Sequence, residues 1–370
     1  MTNKLKYLVL AFFASCILIQ CSGDDNNPIF GDDDAPVEVS PVIFDINAVP
    51  YPKLSDYNFF KSPMANLEPV YGVLPFEPVS QLFTDYAEKK RFIWMPEGVS
   101  ATYQGDDKIL IFPTGTILIK NFYYNNVSPS NTQKIIETRL LIRKSDGWIF
   151  ANYVWNDEQT EAFYTQNGQI VPITWTHNGQ QKSIDYQIPS EGQCFMCHYL
   201  NNQNIPIGPK PQNLNFAIQY ADGTQNQLEK LKSFGYLSGN LPSTINAIVN
   251  YNDASQSLDF RARSYLEMNC GHCHSTGGYA EFYPVRLKYN PTPNYNEMGF
   301  CLEPNINHWM IPEGVDHIIY PGDHAKSGIF YRMSSNDESF KMPMIGRTIV
   351  HEEAVNLISQ WIDSFTEGCE

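Results

Sequence analysis

Basic residues are scarce in this 370-residue chain: 25 Lys and Arg stand against 40 Asp and Glu, a formal net charge of −15. That balance argues against a nucleic-acid partner, because a phosphate backbone is held by a clustered basic face. Long apolar runs are also missing. The run at residues 7–19 is too short to span a membrane. Histidine is rare as well, with eight in the whole chain, so a pattern that places one directly after a cysteine pair twice is improbable as coincidence.

That pattern is present. Cys194-Phe195-Met196-Cys197-His198 and Cys270-Gly271-His272-Cys273-His274 both read Cys-x-x-Cys-His, and they begin 76 residues apart. This spacing is a haem attachment signal. Residues three apart share a helical face, so two thiols can each add to one vinyl group along a single porphyrin edge. The following histidine then offers its imidazole to the iron. A zinc site or a pair of redox dithiols is the competing reading. Zinc ribbons, however, space their pairs by about 15–20 residues and need no histidine after each. Two covalently bound haem c groups are therefore expected, with His198 and His274 as iron ligands.

Lys4 and Lys6 ahead of the short apolar run make a secretory signal over residues 1–20. Leu18-Ile19-Gln20-Cys21 resembles a bacterial lipobox, which would make Cys21 the lipidated first residue of the mature chain. Residues 21–40 hold six acids and no Lys or Arg, the composition of an acidic flexible tether. Acidic runs after a lipid cysteine resemble export signals of surface lipoproteins, so the expected location is the outer membrane. Cys16 leaves with the signal, Cys21 takes lipid and four cysteines take haem. Cys301 and Cys369 remain, either as a disulfide suited to an oxidising envelope or as free thiols.

Residues 41–189 are expected to form an antiparallel β domain. Strands at residues 108–112 and 116–123 flank Pro113-Thr114-Gly115, and those at 137–143 and 148–155 flank Ser145-Asp146-Gly147. Strands at 162–165 and 169–176 flank Asn167-Gly168, and Asn178-Gly179 precedes 182–188. Asn-Gly and Asp-Gly between β-branched and aromatic runs are hairpin signals. Residues 190–252 carry the first motif and residues 253–370 the second. Helices are expected at 225–234 and at 257–269, the latter with Asp259 and Arg263 on its exposed face. A C-terminal helix bears an apolar stripe of Ala354, Leu357, Ile358, Trp361, Ile362 and Phe365.

A helix ending in Cys-x-x-Cys-His, an irregular middle, a Met-Pro and a last amphipathic helix resemble a class I cytochrome c domain over about residues 255–366. That resemblance implies a methionine as sixth iron ligand of the second haem, carried onto Met342, with Met344 as rival. The segments Pro206-Ile207-Gly208-Pro209-Lys210, Gly299-Phe300-Cys301, Pro321-Gly322-Asp323 and Gly346-Arg347-Thr348-Ile349-Val350-His351 resemble a largely uncharacterised family of bacterial dihaem c-type cytochromes. The fold class this implies is α+β and multidomain, an N-terminal antiparallel β domain followed by mainly α cytochrome c-like haem domains.

The second haem is thus expected to be a closed carrier. The first lacks a nearby sixth ligand, since residues 199–267 contain neither methionine nor histidine. His177 and His351 are the histidines placed to reach it. The expected function is electron transfer by a lipid-anchored dihaem cytochrome, with envelope redox proteins as donor and acceptor. The alternatives are a peroxidase-like oxidoreductase with an open first haem, and a haem-bearing binding or sensor subunit.

Overall fold

In the computed structural model, residues 38–304, 312 and 314–369 are described. The expected signal, the expected lipidation site Cys21 and nearly all of the expected acidic tether lie outside them. The described residues up to Ile188 supply nine strands: β1 (Leu74–Pro75), β2 (Glu88–Trp94), β3 (Ala101–Thr102), β4 (Ile117–Val127), β5 (Thr132–Arg143), β6 (Trp148–Trp155), β7 (Ala162–Thr165), β8 (Gln169–His177) and β9 (Gln180–Ile188). All but β3 join one antiparallel sheet in the order β1-β2-β4-β5-β6-β7, with β8 pairing both β4 and β9. The long strands are rich in Ile, Leu, Phe, Tyr and Trp, which suit a pleated surface buried on both faces.

Alternation divides the sheet into two faces. Phe92, Trp94, Ile117, Ile119, Leu140, Ile142 and Tyr153 pack under the irregular N-terminal segment, against Leu54, Tyr57, Phe59 and Leu67. On the other face Ile93, Leu118 and Trp148 meet Leu214, Leu228, Leu231 and Leu237 from beyond the sheet. Phe122, Tyr124 and Ile136 extend that face against Trp175 and Tyr186.

Two expected hairpins form, β5–β6 and β8–β9. Asn178 and Gly179 both take positive φ, 49° and 77°, as a two-residue loop with the twist of its flanking strands requires. Two other expectations fail. Residues 108–112 are not a strand and make only the isolated bridge Thr102↔Ile111. Asn167-Gly168 does not close a hairpin, because β7 pairs with β6 while β8 crosses to β4 through Val127↔Trp175.

After Ile188 the expected mainly α domains are not found: the structure is mostly β, 27% strand and 18% helix. Six α-helices occur among the described residues: α1 (Glu191–Cys197), α2 (Pro211–Leu214), α3 (Gln227–Ser233), α4 (Leu258–Asn269), α5 (Gly328–Ser334) and α6 (Glu352–Asp363). Between them lie the short strands β10 (Tyr199–Leu200), β11 (Gln203–Asn204), β12 (Ala217–Tyr220), β13 (Gly223–Asn226) and β14 (Leu237–Ser238). The physical reason is in the chain. Pro206, Pro209, Pro291, Pro293, Pro321 and Pro343 remove backbone donors at short intervals, so only α4 and α6 run for three turns.

α4 starts at Ser257, whose side chain accepts from Phe260 N. Arg263 is not on an exposed face. It is 3% exposed and donates to Asp259, which also accepts from Trp361 Nε1 at 3.0 Å and from the Tyr295 hydroxyl at 3.0 Å. The pair therefore ties α4 to α6. The predicted stripe of α6 is buried at Ala354, Leu357, Ile358, Trp361 and Ile362. Cys301 and Cys369 form a disulfide, Cα to Cα 5.3 Å.

Trp361→Ala empties this core and strands Asp259; it should destabilise the protein by about 3–5 kcal/mol. Trp361→Phe should cost less, as read by chemical denaturation of both variants.

Candidate functional site

The first motif is built by α1. Ser190 precedes the helix and its backbone N–H donates to Gln193 Oε1 at 2.9 Å, satisfying an N-terminal donor. Cys194 and Cys197 then share one face, and His198 follows with its N–H on the Cys194 carbonyl at 3.0 Å. The His198 ring is fixed from behind. Its Nδ1 lies 2.7 Å from the Ile205 carbonyl, an acceptor only, so Nδ1 carries the proton and Nε2 keeps a free lone pair.

The second motif continues from α4, with Cys270 N on the Leu266 carbonyl at 2.9 Å and His274 N on the Cys270 carbonyl at 2.9 Å. Gly271 is required at its position, because a Cβ there would meet the carbonyls of Glu267 and Leu287 at 2.9 and 3.0 Å. The His274 Nδ1 is buried without a partner. Burial pushes both His198 and His274 down to about 4, so both imidazoles are neutral, the form that binds a metal.

The two motifs meet. Cys273 Sγ lies 3.6 Å from the Met196 carbonyl, and the Leu200↔Gly278 bridge joins the segments that follow them. Cys197 and Cys273 line one cavity; Cys273 and His272 hold the Cys197 thiol down, while Cys197 and burial push Cys273 up. The other two thiols, Cys194 and Cys270, are pushed up by burial, to about 11 and about 12.

Each histidine faces its own cavity. His274 and Cys270 share theirs with Leu287, Ile318, Met333 and Met342. Met342 thus lines the cavity of the second motif. Met344 is 49% exposed and lies only on the rim between the motifs. His198, Cys194 and Cys197 face a larger cavity over the sheet.

His177 and His351 do not line that cavity. His351 stacks on Phe83 with ring centroids 4.0 Å apart, and its Nδ1 lies 3.3 Å from the Tyr265 hydroxyl. His177 leans on Tyr86. What the structure brings to the first motif instead is His272, Met268, Lys120, Arg139 and Arg91. His272 sits between the cysteines of the second motif, and its spacing there gives no sign that it faces the first. The others come from distant strands or the α4 terminus.

The donor set fits a covalently tethered haem at each motif: two thiols three residues apart, on α1 in the first and in the turns that follow α4 in the second, then a neutral histidine. It fits zinc less well. Among the described residues no group of three His, Cys, Asp or Glu side chains converges as a metal cluster, whereas structural zinc takes four donors.

Burial pushes His351 down to about 4 from 6.5, with Glu353 opposing and Lys89 adding to the shift. Between those values the unfolded chain binds the extra proton, so this contribution to stability is full above pH 6.5 and is lost as pH falls toward 4. His351→Phe should remove roughly 3 kcal/mol of acid-dependent loss at full development, measured as denaturation midpoints at pH 7 and pH 4.5.

No family model, curated protein or solved structure matches this chain.

Proposed function

We propose that the protein is a dihaem c-type cytochrome that carries electrons, anchored through a lipid on Cys21 in the bacterial outer membrane, with envelope redox proteins as donor and acceptor. One observation carries this reading. Two Cys-x-x-Cys-His motifs meet where Cys273 Sγ lies 3.6 Å from the Met196 carbonyl, and each presents a half-buried, neutral histidine to a cavity.

A bound haem supplies an iron that cycles between ferric and ferrous. The chain's residues do the rest. Cys194, Cys197, Cys270 and Cys273 tether; His198 and His274 ligate, the former oriented by the Ile205 carbonyl. Met342 is the sixth ligand assigned to the second site. Its segment is pinned by Met342 N on the Arg332 carbonyl at 2.9 Å and by Arg347 Nε on the Met342 carbonyl at 3.1 Å. Leu287, Ile318, Ile329 and Met333 exclude water there, the setting of a closed carrier. Phe195, Tyr279 and Phe282 are exposed beside the meeting point of the motifs. This apolar rim gives a redox partner access to the tethered edges.

The purified protein should contain two covalent haems by mass and give a reduced c-type spectrum that carbon monoxide leaves unchanged. A shift in about half of the haem absorbance would favour an open first site and an oxidoreductase instead. Absence of covalent haem would end both readings.

Met342→Ala should turn the second haem high-spin or exchange its ligand, whereas Met344→Ala should leave the spectrum as it is. An unchanged Met342→Ala spectrum would remove that assignment. Replacing Cys270 and Cys273 with alanine should cost one haem and spare the other.

A further inference from the structure

The cavity beside the first motif is floored by a row of cations. Arg91 on β2 lies opposite Lys120 on β4, and Lys120 lies opposite Arg139 on β5. Directly opposed residues share a face, so three positive side chains stand side by side across two strand spacings, roughly 10 Å. Like charges in this arrangement are destabilising. Asn152 continues the row on β6, and all four residues line the cavity together with Cys194, Cys197 and His198.

Only part of this charge meets an acid: Lys120 lies over the Phe122 ring at 4.8 Å and has no carboxylate among the described residues. Arg139 is paired with Glu137, its Nε 2.9 Å from Oε2. Glu137 is also taken by the Tyr186 hydroxyl at 2.7 Å, so it has little left to give Lys120. Among the described residues neither Arg91 nor Lys120 has an ion pair. Arg91 is 6% exposed, and its Nη1 is buried with no hydrogen-bond partner. Lys89, two residues before Arg91 on the same face, adds a fourth basic side chain, pushed down to about 7 by burial and by Arg91. Burying such groups unpaired costs several kcal/mol each, which a chain with 40 acidic residues had the means to avoid.

We infer that this row is an anion site for carboxylate-type oxygens at the first motif, with Arg91 and Lys120 as its ligands. Two sources share that chemistry. One is the pair of haem propionates, which leave the porphyrin on the edge opposite the thioethers. Arg139 is the cation felt by Cys194, so Arg91 occupies the end of the row away from the tether. The other source is a free small oxyanion held beside the ring. For the haem itself the inference rests on the function proposed above; the cation row stands without it.

The test uses the full-length holoprotein and the separate variants Arg91→Gln and Lys120→Met. Loss of a cation from propionates favours the ferric state. Each variant should therefore lower the first haem's potential by about 59 mV, a tenfold change for one electron, with the second haem unmoved. Acetate should then have no effect on the wild type. If the source is a free anion, acetate should shift the wild-type first-haem spectrum with saturation, and Arg91→Gln should weaken that binding at least tenfold. Folded variants that change neither the potential nor the acetate response would overturn the inference. If the protein proves to carry no haem, the inference is still tested by melting. Acetate should raise the wild-type midpoint and not that of Arg91→Gln, and equal midpoints would overturn it.

Discussion

The guanidinium of Arg347 is the interaction on which the placing of Met342 depends. Residues 335–350 contain no helix or strand and only Lys341 and Arg347 among them are buried, yet Met342, Pro343, Ile345 and Arg347 line the two cavities. Arg347 gathers them by donating to the carbonyls of Met342, Arg332 and Ser335 and to Asn336 Oδ1, at 2.7–3.1 Å. Carbonyls of an irregular segment that turn away from water must be paired, and arginine, with five donors, can pair several at once. Asp85 fastens the far end to the sheet side by accepting from Thr348 N at 2.7 Å and Ile349 N at 3.2 Å. With both anchors in place, Met342 faces one cavity while Pro343, Ile345 and Arg347 line the other.

What was legible in the sequence was local. The helix-turn spacing of each Cys-x-x-Cys-His needs only neighbouring residues, and so do the Asn178-Gly179 turn and the apolar stripe of α6. Signals that require knowledge of pairing were lost. Asn167-Gly168 has turn chemistry, but the strands on either side of it find other partners, and turn propensity cannot report that. The cation row was out of reach for the same reason: Arg91, Lys120 and Arg139 are spread over 48 positions of sequence and become neighbours only through the register of three strands. The mainly α expectation failed because it took two long helices as representative of a region otherwise cut into short pieces by proline.

The histidines show how residue type misleads without its surroundings. His351 opens α6, where it could reach across to a second site, but Phe83, Tyr86, Tyr251 and Tyr265 enclose it. Its ring completes an aromatic cluster and its nitrogen meets a hydroxyl. His198 also has one ring nitrogen engaged, but it is only half-buried and faces a cavity beside two thiols. The difference between the two histidines is what surrounds the ring.

That criterion also separates the two motifs from each other. The His198 Nδ1 is held by a carbonyl, which fixes the ring and makes the other nitrogen a stronger donor. The His274 Nδ1 has no such partner; its ring is placed instead by the backbone, through the bonds of His274 N to Cys270 and of Leu287 N to the His274 carbonyl at 2.9 Å. A more basic ligand favours a ferric iron, whereas unpaired cations near the ring favour a ferrous one. On the proposed reading the first site carries both influences, whereas the second lacks the carbonyl partner and has Arg332 in its wall in place of a cation row. The rest of that wall is mostly apolar and includes a methionine, and methionine by itself raises a potential. Two sites in contact but set by different means can be poised apart, and a difference in poise is what gives electron flow between them a direction.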